Sequence, residues 1–425
     1  MQANSVQQAL ELIQDNDIIW CHSMAATPYL LLHGLADIAL QRRDLTLLQL
    51  HTEGSERLAD PALQGHLRQR AFFVGGSTRQ AVASGLADYV PIFLSEIPKL
   101  MRSGEQPVDT VLCQVSPPDK HGFCSLGISV EATRAALQVA KRKIAWINPS
   151  MPRTHGDSFV HLSDFDRTFE YQAPLHEHRP ARQNEITRQI GANVASLIDD
   201  GDCLQLGIGA IPDATLSCLQ QHQNLGIHTE MFSDGVLPLV QSGVINNSNK
   251  RKHRGRIVTT FAMGTQALYD FVDDNPDVAF LDVEYTNDTS VIRKNPQVVS
   301  INSALQVDLS GQVCADSMGT SIYSGVGGQM DFVRGAALAE GGKAIIALPS
   351  TAKGGQVSRI SSMLSPGAGV VTTRAHVHYI VTEYGIANLR ARSIKERAKA
   401  LIEIAHPNFR ETLEQAFWQD WGLSL

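Results

Sequence analysis

The sequence predicts an α/β fold built on largely parallel sheets. Short apolar runs rich in β-branched residues recur along the chain, amphipathic segments of helical period lie between them, and 425 residues of ordinary composition supply core for about two or three domains. Taken in order, Ser5 and Gln8 have capping-box spacing, and Val6, Leu10 and Ile13 share a face, so a helix opens the chain. Buried strands are expected at 18–20, 45–50, 71–74, 111–115, 144–147, 203–208, 257–261, 298–301, 344–348 and 379–382. Continuous apolar runs of this length suit strands covered on both faces. Helices are expected at 185–197, where Ile186, Ile190, Val194 and Leu197 align, and at 393–405, which opens with the Ser393 and Glu396 capping box. The polar, charged stretch 164–185 carries Pro174 and Pro180 and breaks the apolar rhythm. It marks a boundary between halves 1–180 and 181–425, with an active site expected between them.

Composition removes whole classes of function. Lys and Arg number 36 against 43 Asp and Glu, a formal charge of -7, so no general basic field exists to hold nucleic acid. A small anion must be held locally. The N-terminus has no basic segment before an unbroken apolar core, and no run approaches the roughly 18 apolar residues of a membrane helix, so a cytoplasmic protein without a membrane anchor is expected. The six cysteines (Cys21, Cys113, Cys124, Cys203, Cys218, Cys314) are scattered without CxxC or zinc-ligand spacing and are expected to be buried thiols.

Three segments carry candidate chemistry. Gly207-Ile208-Gly209-Ala210-Ile211-Pro212 follows an apolar run and precedes a helix expected at 213–221, so its amides can approach a phosphate. It is no Rossmann fingerprint: Pro212 stands where the third glycine belongs, and the same turn serves packing alone in many α/β proteins. In His228-Thr229-Glu230-Met231-Phe232-Ser233-Asp234-Gly235, Glu230 falls at the carboxyl end of a strand, where open α/β sheets place ligands. A solvated strand end or a salt-bridge partner is the plainer alternative. In Ser324-Gly325-Val326-Gly327-Gly328-Gln329, three glycines in four positions before a helix at 332–338 can form an amide nest for an oxyanion, or simply a flexible turn.

Other features carry less. His176-Glu177-His178 lies in the polar stretch without a third ligand nearby, so no metal site is assigned. Cys124 beside His121 reads as core packing. Lys353 in Thr351-Ala352-Lys353-Gly354-Gly355 follows a strand and can meet a phosphate or stay solvated. Hydrolase elbow, zincin, Walker and kinase signatures are absent.

Together these segments resemble the acetyl-CoA hydrolase/transferase family, and within it the 4-hydroxybutyrate and butyrate CoA-transferases. The resemblance rests on GIGAIPDA at 207–214, HTEMFSDG at 228–235, INSALQVD at 301–308, SGVGGQMDF at 324–332, PSTAKGG at 349–355 and VTEYGIA at 381–387, in family order. VSPPDKHGFCSLG at 115–127 and ADYVPIFLSEIP at 87–98 extend it over nearly the whole chain. Leu206 departs from the family, which tends to carry glycine there.

The resemblance implies two similar open, mostly parallel α/β domains of the CoA-transferase type. It implies Glu230 as nucleophile, Asn287 beside it, Gly327 and Gly328 in an oxyanion loop, and Gly207, Ile208, Gly209, Ala210 and Ile211, with Lys353, at the coenzyme A site. It also implies a homo-oligomer acting on acyl-CoA and a short-chain carboxylate. No cofactor is expected to be tightly bound, coenzyme A being both substrate and covalent intermediate. An acyl pocket is expected from 23–29 and 75–79. The same site open to water would be an acyl-CoA hydrolase, and a non-catalytic CoA-binding protein would keep the glycine loops with Glu230 idle.

Overall fold

Strands form at nearly every apolar run in a computed structural model that describes residues 1–425. One sheet belongs to the first half. Its eight strands lie side by side as Gln2–Ala3, Arg167–Glu170, Arg142–Ile147, Thr110–Val115, Ile18–Cys21, Leu45–Gln49, Leu67–Ala71 and Ala87–Tyr89. Every neighbouring pair is parallel. The second half has a six-stranded sheet ordered Gly226–Ile227, Cys203–Leu206, Val298–Ser303, Lys343–Ala347, Tyr379–Thr382 and Gly385–Asn388. It is parallel except for the closing hairpin at its edge. Helices Glu185–Ala195 and Ile394–Glu403 begin at capping boxes, set by Asn184 with Thr187 and by Ser393 with Glu396.

The differences from expectation have local causes. The strand expected at 71–74 ends at Ala71. Leu67, Gln69 and Ala71 are buried while Arg68 and Arg70 face out, so alternation rather than apolar density marks it. Phe72, Phe73 and Val74 leave the sheet as a loop toward the second half. The first helix stops at Leu10 after five residues, with Ser5 accepting from the Gln8 N–H. The helix after the first glycine loop is Ala210–Ser217, earlier than 213–221, because Pro212 fits inside a first helical turn. Cys218 is exposed, unlike the other five cysteines. Strand Ile257–Thr259 pairs with Val278–Phe280, and His155–Gly156 completes that small sheet, so a segment of the first half is built into the second.

The packing joins the halves. The largest apolar cluster takes Trp20, Phe72 and Val115 from the first half and Leu204, Phe232, Phe280 and Val381 from the second. Each such side chain contributes about 1.5–3 kcal/mol by leaving water. Separate clusters lie elsewhere, one around Leu31 and Trp146 and one around Phe332, Leu401 and Phe417. Backbone contacts span the same seam: the Val74 N–H donates to Ser324 O at 3.3 Å and the Leu94 N–H to Gly327 O at 3.0 Å. The glycine loop 324–328 is thereby tied to the first half at two points.

Candidate active site

Glu230 is fixed first by its backbone. Beyond strand Gly226–Ile227 the chain continues alongside Val258, where the Thr229 N–H donates to the Val258 carbonyl at 3.0 Å. The Glu230 carbonyl accepts from the Thr260 and Phe261 N–H groups, each at 3.0 Å, and from Thr259 Oγ1 at 3.0 Å. Three donors on one carbonyl leave its Cα little freedom. The residue lies just beyond the carboxyl end of strand Gly226–Ile227, as expected.

The Asn287 amide and the Gly328 backbone flank its carboxylate. Asn287 Nδ2 donates to Oε2 at 2.9 Å. Burial pushes the carboxyl above its ordinary range, and the Asn287 hydrogen bond, with the nearby Gly328 backbone, pulls it back in part. A carboxylate whose charge is poorly solvated is more basic than one in water.

Asn287 ends the short helix Val283–Thr286 and is fully buried. His228, two residues before Glu230, lies with Nε2 2.8 Å from the Thr286 carbonyl and so holds the peptide next to Asn287. Gly328 begins helix Gln329–Leu338. Its φ of -96° suits any residue, so space is what demands glycine: a Cβ there would overlap Glu230 Oε2 and Asn287 Nδ2. Gly327 has φ +56°, a left-handed conformation that favours glycine. Gly325 is constrained by contact instead, since a Cβ would come within 2.8 Å of the Phe73 ring.

Glu230 stands where two chambers meet. One is a wide cleft of about 570 Å³, lined by Gly207, Ile208, Gly209, Ala210 and Ile211 and across from them by Gly325, Gly327 and Gly328. Gly209 has φ +122°, and its Cβ side is open space, so nothing crowds the entrance of the helix that follows. The other is a smaller chamber of about 260 Å³ with a largely apolar wall that includes Met24, Leu50, Ile92, Leu94 and Phe261. Phe73, Gly207, Ile208 and Gly327 border both.

The structure therefore brings Glu230, Asn287, Gly327, Gly328 and residues 207–211 together. Lys353 is apart. It is exposed at the tip of the hairpin joining Thr351–Ala352 to Val357–Ser358, outside the cleft wall. The cation that lines the cleft is Arg359, partly buried, with Nε lacking a partner and Nη1 3.3 Å from the Ala304 carbonyl. No sequence signal marks it. Of the segments expected to form an acyl pocket, only Met24 lines the apolar chamber; Leu50 follows strand Leu45–Gln49, Ile92 lies in the loop after Ala87–Tyr89, and Leu94 opens a short 3-10 helix. His176 Nε2 lies 3.3 Å from Glu53 Oε2, and the His178 N–H donates to the Gly264 carbonyl.

Two open sheets, carboxyl-end glycine loops and a buried carboxylate held by amide donors define a class of protein. The chain belongs to the acetyl-CoA hydrolase/transferase family, whose N-terminal domain matches residues 2–173 and whose C-terminal domain matches 264–417. It is an enzyme of the CoA-transferase type. Among its relatives is the 4-hydroxybutyrate coenzyme A transferase of Clostridium kluyveri, 50% identical over 97% of this chain and 96% of that one. The succinyl-CoA:acetate/propanoyl-CoA:succinate CoA transferase of Fasciola hepatica is 48% identical over 97% of this chain and 87% of its own. In three dimensions, RipA from Yersinia pestis superposes with a TM-score of 0.93 at 35% identity, covering 99% of this chain and 98% of that one. No helix is long and apolar enough to cross a membrane.

Proposed function

We propose that the enzyme moves coenzyme A between a short-chain acyl-CoA and a free carboxylate, such as 4-hydroxybutyrate, butyrate or acetate, by a ping-pong route through Glu230. The observation that carries this is the position of Glu230 at the junction of the two chambers, with Asn287 Nδ2 on its carboxylate and the Gly328 backbone beside it. The long polar body of coenzyme A suits the wide cleft; a short aliphatic acyl group suits the apolar chamber. The thioester then lies at the boundary, against the nucleophile.

The chemistry balances without metal or nucleotide hydrolysis. A Glu230 oxygen attacks the thioester carbonyl, and the tetrahedral oxyanion collapses with loss of the coenzyme A thiolate to leave an acyl-glutamyl anhydride. The thiolate attacks the glutamyl carbonyl of that anhydride, the acyl carboxylate departs, and a glutamyl-CoA thioester remains. An incoming carboxylate reverses both steps. When the thiolate adds to the glutamyl carbonyl, negative charge builds on the Glu230 oxygen, where Asn287 Nδ2 already donates and the Gly328 backbone lies close, a kind of contact typically worth about 3–4 kcal/mol. On a division near residue 180, each half has a share: Met24, Leu50, Ile92 and Leu94 of the apolar wall come from the first, and Phe261, the nucleophile and the amides from the second.

The test is covalent capture. Enzyme incubated with acyl-CoA and no acceptor, then treated with borohydride or hydroxylamine, should carry a modified Glu230 in its peptide mass map. An unmodified peptide would overturn the route. Glu230→Gln should bind coenzyme A normally while transfer falls by about 10³-fold or more, since the amide is nearly isosteric and not nucleophilic. Comparing acyl-CoA consumption with and without acetate separates transfer from hydrolysis.

A further inference from the structure

A second buried carboxyl lies one residue further from the nucleophile. Asp331, on helix Gln329–Leu338, is 6% exposed. Its Oδ2 accepts from the same Asn287 Nδ2 that serves Glu230, at 3.2 Å. Its remaining partners come from the first half: Ser95 Oγ lies 2.8 Å from Oδ1 and the Ser95 N–H 3.3 Å from Oδ2. Asn287 Oδ1 is buried with no partner. The amide is thus oriented wholly by its nitrogen, between two acids that both need a donor.

Two carboxylates sharing one amide cannot both carry full charge cheaply in a dry site. No cation intervenes. Glu230 is the one charged group acting on Asp331; Glu96 beside Ser95 and Arg334 on the same helix are exposed, and Arg102 is engaged with Asp282 and Glu284. Burial, with the Glu230 charge adding to it, pushes Asp331 up to about 7. The proton has a place to sit, on Oδ1 facing the Ser95 hydroxyl, because Oδ2 is taken by two N–H donors.

From this geometry we propose that Asp331 is a charge-compensating positioning residue, holding a proton while Glu230 is an anion and releasing it to solvent when Glu230 becomes a neutral thioester. The inference rests on Glu230 being the nucleophile. Forming glutamyl-CoA from acyl-CoA and the Glu230 carboxylate releases the acyl carboxylate and consumes no proton, so any proton that appears comes from a neighbouring group. Once ionised, Asp331 binds the Asn287 amide more strongly and keeps Nδ2 facing the reacting carbonyl throughout the lifetime of the intermediate.

Stopped-flow mixing of enzyme with acyl-CoA in weakly buffered solution, with a pH indicator and mass detection of the Glu230 adduct in parallel, tests this directly. At pH 6.5 a fraction of one proton per active site should appear with the adduct and be taken up again when acetate is added. At pH 8.5 Asp331 is ionised in both states, and the signal should vanish. Asp331→Asn should form adduct without proton release, and Ser95→Ala, which leaves the acid in place, should retain a release at shifted pH. Adduct without a proton at pH 6.5 in the wild type, or undiminished release from Asp331→Asn, overturns the assignment of Asp331 and leaves Glu230 standing. Absence of any adduct removes both.

Discussion

The two chambers beside Glu230 differ in nearly every respect. The cleft is wide, open to solvent and walled by glycine backbone, Arg359 and residues 207–211, whereas the smaller chamber is narrower and walled by Met24, Leu50, Ile92, Leu94 and Phe261. The cleft can recognise a ligand through amides and one guanidinium; the chamber, mostly apolar apart from His51 and Glu230, selects chiefly by shape and size. On the proposed route, a single carboxylate at their junction meets a carrier that stays constant and an acyl group that is sorted by volume. Division of labour of this kind predicts that substitutions in the two walls have different kinetic signatures.

The most damaging change should be at the junction itself. Gly328→Ala inserts a methyl group between Glu230 and Asn287, and transfer should fall by about 10²–10³-fold in kcat, with coenzyme A affinity measured by calorimetry retained. Retained turnover would show that the close approach of Gly328 to Glu230 and Asn287 is not needed. Next, Ile92→Ala enlarges the apolar chamber without touching the cleft. The ratio of kcat/KM for hexanoyl-CoA over butyryl-CoA should rise by about tenfold or more, the scale of one or two methylenes in an apolar pocket. An equal effect on every acyl-CoA would erase the distinction between the chambers.

A smaller and opposite signature is expected across the junction. Arg359 is partly buried, and burial weakens its hold on its proton, which is the situation of a cation waiting for an anion. Arg359→Gln should raise the KM for every acyl-CoA by about tenfold and leave acyl preference unchanged. Selectivity shifting with Arg359 would contradict the separation. Lys353→Gln, outside both walls, serves as the control.

The smallest effect lies away from both chambers. Glu131 is fully buried, accepts from Thr133 Oγ1 at 2.5 Å and from the Thr133 N–H at 3.1 Å, and is pushed up to about 7 chiefly by burial. Across the window from its ordinary value near 4.5 to about 7, the native chain keeps a proton that the unfolded chain has lost, so stability falls as pH rises. Denaturant unfolding between pH 5 and 8 should show that decline, to which Glu131 contributes at most about 3 kcal/mol and Asp331 adds, and Glu131→Gln should make it shallower. An unchanged slope would mean that Glu131 is ionised in the folded state.

Legibility in the sequence followed the range of the forces involved. Helix Glu185–Ala195 was readable through the period of its apolar face and helix Ile394–Glu403 through a cap of local hydrogen bonds, and the central strands because burial on both faces leaves an unbroken apolar run. Strand Leu67–Ala71 was missed for the converse reason, its outer face carrying Arg68 and Arg70. Glu230, Gly327 and Gly328 stood out through motif and glycine density. Asp331 lay inside a quoted motif with no sign of its role, since its partners Ser95 and Asn287 are 236 and 44 residues away.

By itself, the sequence determined the alternation of strand and helix, the glycine turns at strand ends and the family to which those turns belong, because each depends on residues close together in the chain. Only tertiary structure decided that Arg359 rather than Lys353 faces the cleft, that Ile92 and Leu94 wall the apolar chamber, and that Ser95, Asp331, Asn287 and Glu230 form one hydrogen-bonded line. Those outcomes depend on how the two halves pack along their shared core, and local spacing contains no record of which distant side chains that packing brings within 3 Å or so of one another.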